Sequence, residues 1–194
     1  MAPICGGMTA VMNEALDHAA HVLSAFLGTR LRWTAGVRIS SHRLAELPAL
    51  CGPEDTPVAA AFFEVRGDLT GYLLLAIPEP AAQEMVEQLL GVIEGEADQQ
   101  LIDSTLGELG NVVGSAFLNV LADRFGITVA PSPPQVTWDM VGALLATLAG
   151  ALAIRARDEW PVVHTQLQAS GADLPLYLIW IPGQPIEQQR EVKR

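Results

Sequence analysis

Basic side chains are scarce: Lys and Arg together number 11 against 22 Asp and Glu, giving a formal charge of −11 and a pI ≈ 4.6. Nucleic-acid affinity rests on clustered cations against phosphates, so this balance excludes a phosphate-backbone binder. Cysteine is nearly missing as well. The 2 cysteines, Cys5 and Cys51, have no CxxC spacing, which excludes a disulfide scaffold in a chain of this size. Only 17% of the residues are charged while 50% are hydrophobic, the reverse of the balance that keeps a chain disordered. Long apolar runs are lacking too. The most apolar stretch, Val141 to Ile154, has fourteen residues, short of the roughly twenty needed to span a bilayer, and it reads as a buried helix. The first thirty residues have no basic start, and Glu14, Asp17, His18 and His21 break any apolar segment, so no export signal is expected. The composition predicts a soluble, cytoplasmic protein that neither inserts in membranes nor binds nucleic acid.

What is present is repetition. Gly67-Asp68-Leu69-Thr70-Gly71-Tyr72-Leu73-Leu74 returns 105 residues later as Ala172-Asp173-Leu174-Pro175-Leu176-Tyr177-Leu178-Ile179, and both copies run on to Ile-Pro, at Ile77-Pro78 and Ile181-Pro182. Upstream, Asn13 precedes Gly28 by fifteen positions and Asn111 precedes Gly126 by fifteen, with Val22-Leu23 matching Val120-Leu121 at an offset of 98. Repeats this long indicate a fused pair rather than a short-period solenoid. The expected layout is one domain over 1–183, made of related halves at about 8–95 and 99–183, with a polar tail at 184–194.

Periodicity and breakers predict a helix over 8–27 with Val11, Leu16, Ala19, Leu23 and Phe26 facing the core. A strand over 30–41 and a loop over 42–56 follow. Hairpins are expected at 58–66/70–77 and at 160–169/174–181, with helices from Pro80 to Leu90 and over 99–125, an apolar helix or mixed segment over 141–152, and an extended stretch over 128–139. Trp138, Trp160 and Trp180 read as strand residues in or near the core.

The helix over 99–125 carries the chemistry. Ser104, Glu108 and Asn111 stand at i, i+4 and i+7 and share one face. Ile102, Leu106, Leu109, Val113, Phe117 and Val120 form the opposite, core-docking face. Gly107, Gly110 and Gly114 lie beside the polar stripe, each costing roughly 1 kcal/mol relative to alanine in a helix interior. Their presence predicts a surface that another molecule approaches closely. A carboxylate accepts hydrogen bonds, whereas an amide donates and accepts at once. His18 and His21 read as helix surface, and no metal site is expected.

The pattern Ser104-x3-Glu108-x2-Asn111, followed by twenty-two residues and Pro134, resembles the signature of the CheC/CheX/FliY phosphatases, which act on the phosphorylated chemotaxis regulator CheY. Glu108-Leu109-Gly110-Asn111-Val112, the segment Ala122 to Gly126, and the segment Pro133 to Met140 also look like CheC-type sequence, and the likeness runs from about 8 to 183. It implies an α/β (α+β) fold of two pseudo-symmetric halves, with long helices packed on a largely antiparallel sheet. It further implies hydrolysis of an aspartyl phosphate on a CheY-type receiver that brings its own Mg²⁺, acidic pocket and lysine, so that the chain needs no cofactor. Glu108 would pair with the receiver's lysine and Asn111 would hold the attacking water. Ser104, Gly107, Gly110, Gly114, Ser115, Pro133 and Pro134 would contact the partner or support the site, although Ser104 also reads as a plain surface residue near the helix start. A CheD-like deamidase is a second candidate partner.

The first half departs from this pattern. At an offset of 98, Ser104, Glu108, Asn111 and Pro134 become Gly6, Ala10, Asn13 and Gly36. Only the asparagine survives, which predicts a degenerate first site at Asn13 and one working site. The rival reading is a non-catalytic module that binds a receiver or a CheD-like adaptor.

Overall fold

The computed structural model describes residues 6–28, 31–33, 37–92, 97–153, 157–169 and 172–183. The elements run α1 (Gly6–Leu27), β1 (Leu31–Trp33), β2 (Arg38–His42), a 3₁₀ turn (Leu44–Ala49), β3 (Pro57–Gly67), β4 (Gly71–Pro78) and α2 (Glu79–Leu90). After these come α3 (Gln99–Phe125), β5 (Val129–Pro131), β6 (Gln135–Met140), α4 (Val141–Ala153), β7 (Trp160–Ala169) and β8 (Ala172–Pro182). The eight strands form one sheet in the order β1-β7-β8-β4-β3-β5, with β2 also beside β7 and β6 also beside β3. Every pairing is antiparallel.

The order is symmetric about its middle. β3 and β4 are flanked by β5 and β6 in the way that β7 and β8 are flanked by β1 and β2. At the centre β4 pairs with β8, and Leu74 lies opposite Ile179. Those two residues are 105 apart, the offset of the repeat itself, so a pseudo-twofold axis passes through that pair. The fold is α+β with two pseudo-symmetric halves.

Strand alternation sends neighbouring side chains to opposite faces and creates two cores. Ala61, Phe63, Leu73, Leu75, Leu178 and Trp180 face α1, α2 and α3. Val58, Ala60, Leu74, Ala76, Trp160, Val162, Ile179 and Ile181 face α4 and the 3₁₀ turn. On the first face Phe117 of α3 meets Trp180 edge-on, with centroids 6.0 Å apart. α1 lies against α3 through the fully buried Met12, Ala15, Ala19 and Leu23, and Arg124 clamps Glu14 across the seam at 2.8 and 2.5 Å. That guanidinium hydrogen bond holds the Glu14 carboxyl below the usual carboxylate range.

Several expectations need correction. The strand predicted over 30–41 is two short strands, β1 and β2, both paired to β7. The loop over 42–56 contains a 3₁₀ turn, whose start is fixed by the Glu46 carboxylate accepting from the Arg43 backbone N–H at 3.1 Å and pairing with its guanidinium at 2.7 Å. Phe26 is 39% exposed rather than in the core, on the side of α1 where Ala25 is exposed as well; Leu27 packs against the core in its place. α4 is a surface helix and not a buried one. Val141, Leu145, Leu148 and Leu152 point inward, while Ala143, Ala146, Thr147, Gly150 and Ala151 face out. Cys5, Gly36, the turn at 170–171 and the tail at 184–194 lie outside the described residues. Among the described residues no helix is long and apolar enough to cross a membrane.

Candidate functional site

α3 is fixed at both ends by its own sequence. The Asp98 carboxylate caps it by accepting from the Leu101 N–H at 2.8 Å, the usual service of an N-cap aspartate. Gly126 stops it in the left-handed region at φ 63°, where a side chain would be strained. Its first turns are also tied to β6. Asp103 accepts from Trp138 Nε1 at 2.7 Å and from Gln99 Nε2 at 2.9 Å. Sequence reading took Trp138 as a near-core strand residue and did not see this clamp, since only tertiary structure brings β6 to the helix.

The three glycines do not line a partner-facing surface. Gly107, Gly110 and Gly114 are buried on the inner side of α3, and this corrects their expected role in partner approach. A Cβ at Gly110 would lie 2.6 Å from the Ala61 Cβ and 3.0 Å from Phe63 Cζ. One at Gly114 would lie 3.2 Å from Leu73 Cδ2. The missing side chains let α3 press its backbone onto β3 and β4, so their role is support from within. At Gly107 a Cβ would meet Val136 at 3.6 Å and Pro134 Cγ at 3.7 Å, ordinary contact distances. Pro134 therefore rests against the turn of α3 that presents Glu108 and Asn111, as a buttress should. Pro133 is exposed. Its carbonyl accepts from the Ser132 hydroxyl at 3.1 Å, and Ser132 in turn is tied to the Glu64 backbone at 2.8 and 3.0 Å.

The outer side of α3 forms a ridge. Ser104 and Glu108 are exposed, and Asn111 and Ser115 are half-buried. Leu101 continues the ridge toward the helix start and is 43% exposed. Ser104 lies more than a turn inside the helix and does not cap it. The side chains of Glu108 and Asn111 make no hydrogen bond or ion pair with any described residue. Neither do the hydroxyls of Ser104 and Ser115. The ridge offers a free carboxylate and a free amide one turn apart. Such a pair can position a partner's donor and a water.

In the first half the matching amide is occupied. The Asn13 Oδ1 accepts from the Val37 N–H at 3.3 Å. Ala10, at the position matching Glu108, is exposed and has nothing to offer.

Comparison with known proteins agrees with this architecture. The family model for the chemotaxis phosphatase CheX matches residues 59–149, the stretch that holds the ridge and Pro134. The CheY-P phosphatase CheC of Bacillus subtilis is 35% identical over 105 residues, 52% of this chain and 50% of that protein. The chain thus spans half the length of this curated relative. Among solved structures, Thermotoga maritima FliY overlays with a TM-score of 0.70 at 17% identity, covering 98% of this chain and 96% of that one. A chain of the Borrelia burgdorferi CheX–CheY–BeF₃–Mg²⁺ complex overlays with a TM-score of 0.55 at 15% identity, covering 86% of this chain and 94% of that one. The chain is thus similar in sequence to CheX and CheC across α3 and shares the fold of the CheC/CheX/FliY proteins over nearly its whole length.

Proposed function

We propose that the chain is a CheC-like phosphatase with one working site, Glu108 and Asn111 on α3, which hydrolyses the aspartyl phosphate of a CheY-type receiver. The observation that carries this reading is the contrast between the two asparagines. Asn111 stands on the ridge with its amide engaged by no described residue, while the Asn13 Oδ1 accepts from the backbone N–H of Val37.

Hydrolysis of a phosphoryl group needs an in-line water and neutralised charge, with little covalent help. The receiver supplies Mg²⁺ and a lysine. Glu108, an acceptor when ionised, receives that lysine and sets the register of docking. Asn111 then accepts from and donates to a water behind the phosphorus, as glutamine does in GTPases. Positioning alone is worth much here, because a 1 Å misplacement can cost on the order of a hundredfold in rate.

The test follows phosphate loss from a phosphorylated receiver. Wild type should exceed the receiver's own decay. Asn111→Ala and Glu108→Ala should each lose roughly a hundredfold of that excess, and Asn13→Ala should keep it. If wild type adds nothing to the receiver's own decay, the enzyme reading fails. If Asn13→Ala abolishes activity while Asn111→Ala does not, the site lies in the other half. A second reading, favoured by the tethered Asn13, is a non-catalytic module for a receiver or a CheD-like adaptor. Binding that ignores phosphorylation, without hydrolysis, would support it.

A further inference from the structure

The face of the sheet opposite α3 holds a pocket of ≈ 110 Å³ between β2, β7, β8 and the loop after the 3₁₀ turn, lined by residues that include Arg38, Cys51, His164, Gln166, Tyr177 and Ile179. Register explains the cluster. Arg38 lies opposite His164, His164 opposite Ile179, and Gln166 opposite Tyr177, so these side chains leave the sheet on one face.

Its chemistry is one-sided. No described carboxylate lines it. Arg38 makes no ion pair with any described residue, although the chain carries a net charge of −11. His164 Nδ1 is buried without a hydrogen-bond partner, an unusual cost for a native polar atom. Burial first, then the neighbouring His42 and Arg38, hold the His164 imidazole below its ordinary range. The other groups add no negative charge, since burial pushes the Cys51 thiol up to about 12 and the Tyr177 hydroxyl upward as well. The described residues also contain no cluster of three His, Cys, Asp or Glu able to hold a metal.

We propose that this pocket binds a small oxyanion, held by the Arg38 guanidinium with the Tyr177 hydroxyl and the His164 imidazole as further donors. An anion in the pocket would match the uncompensated cation. It would also favour protonated His164. The groups facing that ring are Arg38 and His42 on β2, Cys51 on the loop and Tyr177 on β8, with Glu46 reaching His42 from behind at 3.7 Å. Binding therefore tightens as pH falls through the imidazole range. This site is separate from the α3 ridge and does not depend on the phosphatase reading.

Sulfate, whose charge is constant across that range, is the probe. It is titrated into the full chain by calorimetry, with the His164 ring followed by NMR, and phosphate and acetate serve as comparison arms. Saturation should raise the pKa of His164, and binding should be tighter below the ordinary imidazole value of about 6.5 than above it. Arg38→Gln, at an exposed strand position, should weaken binding roughly tenfold or more. His164→Gln should remove the pH dependence, while Asn111→Ala should bind sulfate as wild type does. The proposal is overturned if millimolar sulfate leaves the His164 ring unmoved, or if folded Arg38→Gln binds as tightly as wild type.

Discussion

Gly110→Ala and Gly150→Ala are the same chemical change with opposite expected signs. In both, alanine replaces glycine inside a helix, which favours the helix by about 0.8–1 kcal/mol. At Gly150, on the exposed side of α4, a new Cβ meets nothing within 4 Å, so the helical gain should appear whole. At Gly110 the new Cβ would sit 2.6 Å from the Ala61 Cβ and 3.0 Å from Phe63 Cζ. Ala61 cannot turn away, because its Cβ is fixed to the backbone of a strand paired on both sides. The helix or the sheet must shift, and overpacking of this kind costs about 1–3 kcal/mol. Set against the helical gain, Gly110→Ala should lose up to about 2 kcal/mol, lowering the midpoint by up to roughly 8 °C for a chain of this size. Gly107→Ala falls between them, with its nearest neighbours at 3.6 and 3.7 Å, and should be neutral or slightly stabilising. Thermal and urea unfolding of the three variants beside wild type is the assay. If Gly110→Ala gains stability as Gly150→Ala does, α3 does not press on β3 as described. If it keeps its stability but loses receiver dephosphorylation, the glycine faces a partner after all.

Other measurements probe the supports of the ridge and the lower pocket. Trp138→Phe and Asp103→Ala should each destabilise by about 1 kcal/mol through loss of the 2.7 Å bond. Their double mutant should lose less than the sum, and strict additivity would show that the bond contributes nothing. Cys51, 3% exposed with its thiol pushed up to about 12, stays protonated and shielded at mildly alkaline pH. In a Cys5→Ser background, native protein should react with a thiol reagent far more slowly than urea-unfolded protein. Equal rates would mean the thiol is open to solvent.

Much of this molecule was readable from residues close together in the chain. α3 begins and ends where Asp98 and Gly126 place it, because a cap and a left-handed glycine are local devices. The two hairpins were legible from alternation, and the shared face of Ser104, Glu108 and Asn111 from helical spacing alone. The glycines were misread for a physical reason. Gly107, Gly110 and Gly114 recur at threes and fours like the leucines and valines of the core, yet glycine carries no hydropathy to say which way it points. What fixes their side is Ala61, Phe63 and Leu73, residues on strands far away in sequence. Alanine misled in the other direction: α4 is apolar by composition, but its outer face is alanine, threonine and glycine, which tolerate water. The clamp of Trp138 on Asp103 and the pocket beside Arg38 both depend on strand register, which no local pattern encodes.

The opposition of Leu74 and Ile179 at the centre of the sheet bears on what either segment could do if cut free. Severing the chain between α2 and α3 would leave each piece with a hairpin bare on both sides, β3–β4 in one and β7–β8 in the other, because β5 and β6 lie beside β3, and β1 and β2 beside β7, with a strongly apolar border at β4 or β8. Such a border is a template for another chain, and because these two strands are near copies that already bond to one another, its readiest match is a second fragment of the same kind.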